Sequence, residues 1–163
     1  SRPGKGTVME IMLPMATHSP TSVEAPEQQT DSLDLTGAWV VVVEDAEEVA
    51  QALIPWLQAH GARVSHHVSA EEALAVPGIQ AADIYLSDYR LSGRMSGIDF
   101  LEAIRNRALD EIHAVLLTGD TSSQFIEMVG ASGWPILFKP VNPRELKAFL
   151  KLLHASARQP GLL

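Results

Sequence analysis

Three runs of consecutive apolar residues, Trp39–Val43, Ile84–Leu86 and Ala114–Leu117, break off at polar residues. The residues that follow are Glu44-Asp45, Ser87-Asp88 and Thr118-Gly119. A short unbroken apolar run bounded by turn signals reads as a strand covered on both faces, and such strands belong to parallel sheets. Two further segments complete the set. Ala62–Val68 alternates weakly, and Trp134–Phe138 leads into Lys139-Pro140.

Helical patterns fill the intervals. Val49, Leu53 and Leu57 repeat at four-residue spacing, Pro55 is expected to kink that helix or fray one turn of it, and His60-Gly61 closes it. Ser69 caps a short helix through Ala75, stopped by Pro77-Gly78. Gly97–Arg107 turns Ile98, Leu101 and Ile104 inward, and Gln124–Val129 is a fourth helical segment. Asn142 caps the last helix, Pro143 takes its first position, and Leu146, Phe149, Leu150 and Leu153 form its apolar stripe. Five strands alternating with five helical segments predict an α/β three-layer sandwich. Right-handed crossovers leave few arrangements, and a flavodoxin-like (βα)5 sheet of order 2-1-3-4-5 is the expectation.

In such a sheet, chemistry gathers beyond the carboxyl ends of the strands. That edge would collect Glu44, Asp45, Asp88, Thr118 and Lys139. Clustered carboxylates repel unless a cation sits among them, and a hard divalent ion such as Mg²⁺ takes oxygen ligands. Glu44 and Asp45 would then hold the metal, directly or through water. Asp88 has the placement of a carboxylate nucleophile toward phosphorus. The Lys139 ammonium and the Thr118 hydroxyl would meet phosphoryl oxygens. Each residue alone has an ordinary explanation, as a helix-opening acid, a turn or a solvated charge. Together they define one site. His66 and His67, neighbours on a strand, face opposite ways and are expected as surface histidines rather than joint metal ligands.

From about Ala38 to Ala155 the chain resembles the response-regulator receiver domain. The motifs are Val43-Glu44-Asp45, Leu86-Ser87-Asp88, Leu117-Thr118-Gly119 and Phe138-Lys139-Pro140. The resemblance implies phosphoryl transfer from a phosphohistidine to Asp88, and slow self-hydrolysis of the acyl phosphate. It implies Mg²⁺ held by Glu44, Asp45, Asp88 and the Arg90 backbone carbonyl. It also implies a cis Lys139–Pro140 bond. Partners would be a histidine kinase dimerisation and phosphotransfer domain, or a histidine phosphotransfer protein. Ser92 replaces the family's usual proline, and Gly97 comes one position late, so the Arg90–Ser96 loop is expected to carry one extra residue. The family's switch aromatic, three positions before the lysine, is Ile136 here, which implies a weaker or differently routed conformational change. Two other readings compete. One is a phosphorylation-independent pseudo-receiver used for docking. The other is an aspartyl-phosphate enzyme like the haloacid dehalogenase-like phosphatases, which need a second acid where Arg90 stands.

The remaining residues suggest context. Residues 3–14, Pro-Gly-Lys-Gly-Thr-Val-Met-Glu-Ile-Met-Leu-Pro, resemble the last strand of the ATP-binding domain of sensor histidine kinases. Expected boundaries are therefore a kinase strand remnant at 1–16, a polar linker at 17–36, the receiver at 37–156 and a tail at 157–163. This order fits the C-terminal receiver of a hybrid histidine kinase, and a first residue that is not Met suggests a piece of a longer chain. The net charge of −8 argues against nucleic acid, and the lack of cysteine removes thiol and disulfide chemistry. No apolar run reaches membrane-spanning length, so a cytoplasmic fragment without direct membrane contact, a monomer or weak dimer, is expected.

Overall fold

A computed structural model of the chain describes residues 32–157, except for the side chains at 123, 124, 128 and 156. The expected kinase-like strand, most of the linker and nearly all of the tail lie outside the described residues. Five strands form one parallel sheet: β1 (Trp39–Val43), β2 (Arg63–His67), β3 (Ile84–Asp88), β4 (Ala114–Thr118) and β5 (Ile136–Phe138). Their order is β2-β1-β3-β4-β5, as the alternation of elements predicts. The helices are α1 (Glu47–Ala59), α2 (Ala70–Leu74), α3 (Gly97–Arg105), α4 (Ser123–Ser132) and α5 (Pro143–Ala157), with a short 3₁₀ turn at Ile79–Ala81.

Alternate strand residues face opposite sides of the sheet, so each apolar run feeds two cores at once. Val40, Val42, Ile84, Leu86, Val115, Leu117 and Leu137 pack against Leu53 and Leu57 of α1 and Leu146 and Leu150 of α5. Their neighbours Val41, Val43, Tyr85, Ala114 and Leu116 pack against α2, α3 and α4 through Ala70, Ala73, Phe100, Leu101, Ile104, Phe125 and Val129. The helices are started by their sequence. Ser69 accepts from Glu72 N–H, Ser96 and Asp99 form a capping box, Ser122 accepts from Phe125 N–H, and Asn142 accepts from Arg144 N–H.

Some expectations are corrected. The linker reading of 17–36 fails at its end, because Leu33 and Leu35 are buried in the α1–α5 core and Leu35 N–H donates to the His60 carbonyl at 2.8 Å. In α1, Ala50 rather than Val49 is buried beside Leu53 and Leu57. Phe100 joins the α3 core, while Ile98 is only partly covered. His67 is not a surface residue. It is 8% exposed on the α2 side, with its Nδ1 3.7 Å from Glu72 Oε1. His66 faces the other way and is half-buried, its Nε2 2.8 Å from the Glu44 carbonyl.

Tyr85 gives the fold a measurable pH signature. Its ring is fully buried and its hydroxyl donates to the Ile79 carbonyl at 2.8 Å. Burial, first of all, pushes its pKa up to about 12. The unfolded chain gives up this proton near 10, whereas the folded chain holds it. Stability therefore falls as pH rises from about 10 to 12, by up to about 1.4 kcal/mol per unit. Tyr85→Phe is expected to cost about 1 kcal/mol at neutral pH through the lost hydrogen bond. It should also flatten this alkaline limb, as read by denaturant titrations across that range.

Candidate functional site

The strand period that builds two cores also sorts the polar residues. Glu44, Asp88 and Lys139 each follow a residue of the α1–α5 core by two positions: Val42, Leu86 and Leu137. Thr118 follows Leu116 and takes the parity of the α4 side. The hydrogen bonds agree with this sorting. Lys139 Nζ lies 2.6 Å from Glu44 Oε2 and 2.7 Å from Asp88 Oδ2. Thr118 Oγ1 instead accepts from Asp120 N–H at 3.1 Å.

Glu44 is fully buried. Its N–H extends the β1–β2 pairing to the His67 carbonyl, and its Oε1 accepts from Ala46 N–H at 3.2 Å. Burial, more than any other cause, raises its pKa above the ordinary 4.5. The Asp88 charge adds to the rise, and Lys139 opposes it. Burial alone would lower the Lys139 pKa, but the bonds to Asp88 and Glu44 outweigh it and hold the ammonium above its ordinary 10.5. Lys139 is fixed by its backbone as well. Its N–H donates to the Thr118 carbonyl at 2.6 Å, and the Lys139–Pro140 bond is cis.

Glu44, Asp45 and Asp88 offer carboxylate oxygens within 4.8 Å of one another. Three carboxylates against one ammonium leave two negative charges uncompensated if all three ionise. The donors are hard oxygens, so the set fits Mg²⁺ better than a soft metal. Both Glu44 oxygens already accept hydrogen bonds, which suits contact through water. Arg90, the expected carbonyl ligand, stands in the loop after β3, with its N–H 3.4 Å from Asp88 Oδ1.

That loop is anchored at both ends. Tyr89 N–H donates to the Leu117 carbonyl, and the Tyr89 carbonyl accepts from Gly97 N–H. A Cβ at position 97 would meet the Asp88 carbonyl oxygen at 2.2 Å, so only glycine lets α3 start this close to β3. Between the anchors the loop turns outward onto α2. Ser92 donates to the Val68 carbonyl, Arg94 N–H donates to Glu71 Oε1, and Gly93 adopts φ +136° against the Glu71 carboxylate.

One residue escaped the sequence reading. Asp120 Oδ2 pairs with Arg90 Nη2 at 2.6 Å, and its Oδ1 accepts from Ser122 N–H at 2.9 Å. Its carboxyl is held below the usual range by the Ser122 backbone N–H first, then by the Ser122 hydroxyl and Arg90. The local signal was present: an aspartate two residues before a serine cap is a common turn pattern.

The five-stranded parallel sheet thus carries an acidic trio and a lysine at its carboxyl edge. The chain belongs to the response regulator receiver domain family, whose model matches residues 40–151. Among solved structures it is similar to the chemotaxis protein CheY4 of Vibrio cholerae, with 30% identity and a TM-score of 0.61 over 71% of this chain and 98% of that one. It is also similar to the BeF3-activated N-terminal receiver domain of RstA from Klebsiella pneumoniae, with 26% identity and a TM-score of 0.63 over 74% and 99%. The receiver domain of the Francisella response regulator 1452 shares the fold at 21% identity and a TM-score of 0.64, over 73% and 98%. No curated protein matches the chain in sequence. Among the described residues, no helix is long and apolar enough to cross a membrane.

Proposed function

We propose that this receiver domain accepts a phosphoryl group on Asp88 from a phosphohistidine. The observation that carries the reading is the Lys139 ammonium, bonded to both Glu44 and Asp88 at 2.6 and 2.7 Å on the sheet's carboxyl edge. An Asp88 carboxylate oxygen forms the bond to phosphorus. The bond from phosphorus to the donor imidazole breaks, and its electron pair stays on the ring nitrogen, which takes up a proton. Lys139 is placed to move from the Asp88 oxygen to a phosphoryl oxygen. The Thr118 hydroxyl, now an acceptor, has a proton to donate to another. Asp45, Asp88 and the Arg90 carbonyl would hold Mg²⁺, with Glu44 behind a water. When bound, Mg²⁺ neutralises charge on the transferring group.

The neighbouring surface supports this reading of the donor. Val49, Leu53, Trp56, Pro140, Val141 and Leu146 line an apolar groove of about 380 Å³ that reaches Lys139. It suits an amphipathic helix presenting phosphohistidine, from a kinase dimerisation domain or a histidine phosphotransfer protein. Trp56→Ala is expected to slow transfer from such a protein roughly tenfold. The rate with acetyl phosphate, measured alongside, should hold. Equal slowing of both would place the effect in the acceptor rather than in docking.

The parent is read as a hybrid histidine kinase in the cytoplasm or anchored to the membrane, with residues 1–16 as the end of its ATP-binding domain, a linker after them, and a short tail at 157–163. A docking module needing no phosphorylation is the second reading. The complete carboxylate and lysine set favours the acceptor. The deciding test is peptide mass spectrometry after treatment with acetyl phosphate and Mg²⁺. An adduct on the peptide containing Asp88 supports the proposal, and an unmodified peptide refutes it.

A further inference from the structure

Four of the five helices are opened by a side chain: Ser69, Ser96, Ser122 and Asn142 each accept a backbone N–H. The exception is α1. Its N-cap is Ala46, and no side chain there accepts a hydrogen bond. The turn between β1 and α1 carries Asp45, which is exposed and belongs to neither element. Its placement therefore depends on what holds the turn. Glu44 Oε1 accepts from Ala46 N–H at 3.2 Å, and His66 Nε2 lies 2.8 Å from the Glu44 carbonyl oxygen.

The second of these contacts stands where the sheet runs out. Val42 and Val43 pair with His66 and His67, and Glu44 N–H adds one more rung to the His67 carbonyl at 3.0 Å. Past that rung the two chains part. β1 leads into Asp45, and Ser69 becomes the cap of α2. His66 follows Val64 by two positions and so shares its side of the sheet, toward α1. From there its ring reaches the Glu44 carbonyl. A carbonyl only accepts, so the bonded nitrogen is the donor and Nε2 carries the proton. His66 and Asp45 also line one cavity of about 580 Å³ with Glu47, Gln51 and Ile54 of α1, which leaves room for a side chain of another shape at position 66.

Peptide planarity turns this bond into control of the next residue. The Glu44 carbonyl and the Asp45 N–H lie in one rigid plane, so holding the oxygen sets the direction in which the chain enters Asp45. We propose that His66 is a positioning residue for the metal site: by donating to the Glu44 carbonyl it holds the peptide that keeps the Asp45 carboxylate within 4.8 Å of the oxygens of Glu44 and Asp88. The inference rests on the reading of this trio as a Mg²⁺ site. His66 touches neither the ion nor the phosphoryl group. It orders in advance a turn that would otherwise lose its freedom on binding, as outer partners of metal ligands do.

The test is a Mg²⁺ titration at one fixed pH, read by the backbone amide shifts of Asp45 and Asp88 in isotopically labelled protein, with thermal melting of the same samples. His66→Gln keeps an N–H donor and loses the ring. His66→Phe keeps a ring and loses the donor, and His66→Ala loses both. The Mg²⁺ dissociation constant is expected to rise roughly tenfold in His66→Phe and His66→Ala, the low end of what an outer partner contributes, and to stay within about twofold of wild type in His66→Gln. If one variant without a donor fails to fold, the other supplies the comparison. A packing role predicts the reverse order, with His66→Phe near wild type and His66→Gln impaired. That order, equal weakening in all three variants, or unchanged affinity throughout overturns the positioning role and leaves the metal site standing. A wild type in which neither amide responds to Mg²⁺ overturns both.

Discussion

Replacing Asp88 by asparagine is expected to abolish phosphoryl acceptance, so that no adduct appears on the peptide containing residue 88 under conditions that modify the wild type. The reason is chemical. An amide oxygen carries no full negative charge and is a poor nucleophile toward phosphorus. The fold should survive. Asparagine keeps the side chain's shape at a position that is 9% exposed, and its oxygen can still accept from Lys139. Glu44 would feel one negative charge less, since the Asp88 carboxylate contributes to its raised pKa. The variant should therefore be at least as stable as the wild type near neutral pH. Mass spectrometry and thermal melting on one preparation check both outcomes. An adduct of unchanged yield would move the acceptor elsewhere.

Lys139→Met is expected to have the second largest effect, and it should appear in both rate and stability. Removing a preorganised charge donor from a developing anion slows chemistry by roughly 10²–10³. The same change strips the ammonium from a fully buried Glu44, and removal of one partner from a buried pair costs on the order of 3 kcal/mol. The pH dependence gives the sign. In the wild type Glu44 keeps its proton to higher pH when folded than when unfolded, so its contribution declines as pH rises above about 4.5. Lys139 limits that decline, because its hydrogen bond and charge both lower the Glu44 pKa. In the variant the loss between acidic and neutral pH should steepen. At the other end, Lys139 contributes stability below about 10.5 that is lost as pH climbs through its raised folded value, a loss absent from the variant. Denaturation midpoints across the acidic and alkaline ranges would show both differences. Parallel profiles would contradict the coupling.

Much of the site was legible because strand ends are punctuated in the sequence. Glu44, Asp88 and Lys139 each end an apolar run, and period two then places all three on one side of the sheet. What escaped depends on contacts distant in sequence. Leu33 and Leu35 alternate with Ser32, Asp34 and Thr36 over too few residues to mark an element, and only the end of α1 beneath them reveals that they are core. His67 looks solvent-facing on an edge strand until α2 covers it. Asp120 and Arg90 lie 30 residues apart, and neither announces the other. Ser96 and Asp99 were readable as a capping box from spacing alone.

The hydrogen bonds from the Ser92 hydroxyl to the Val68 carbonyl and from Arg94 N–H to Glu71 Oε1 couple the loop after β3 to α2. A reporter group on the outer surface of α2 is therefore expected to sense changes in the loop after Asp88 without touching the site, from the side of the sheet opposite the groove beside Trp56. If the proposed helical donor docks on that groove, such a reporter can follow the loop while the donor is bound.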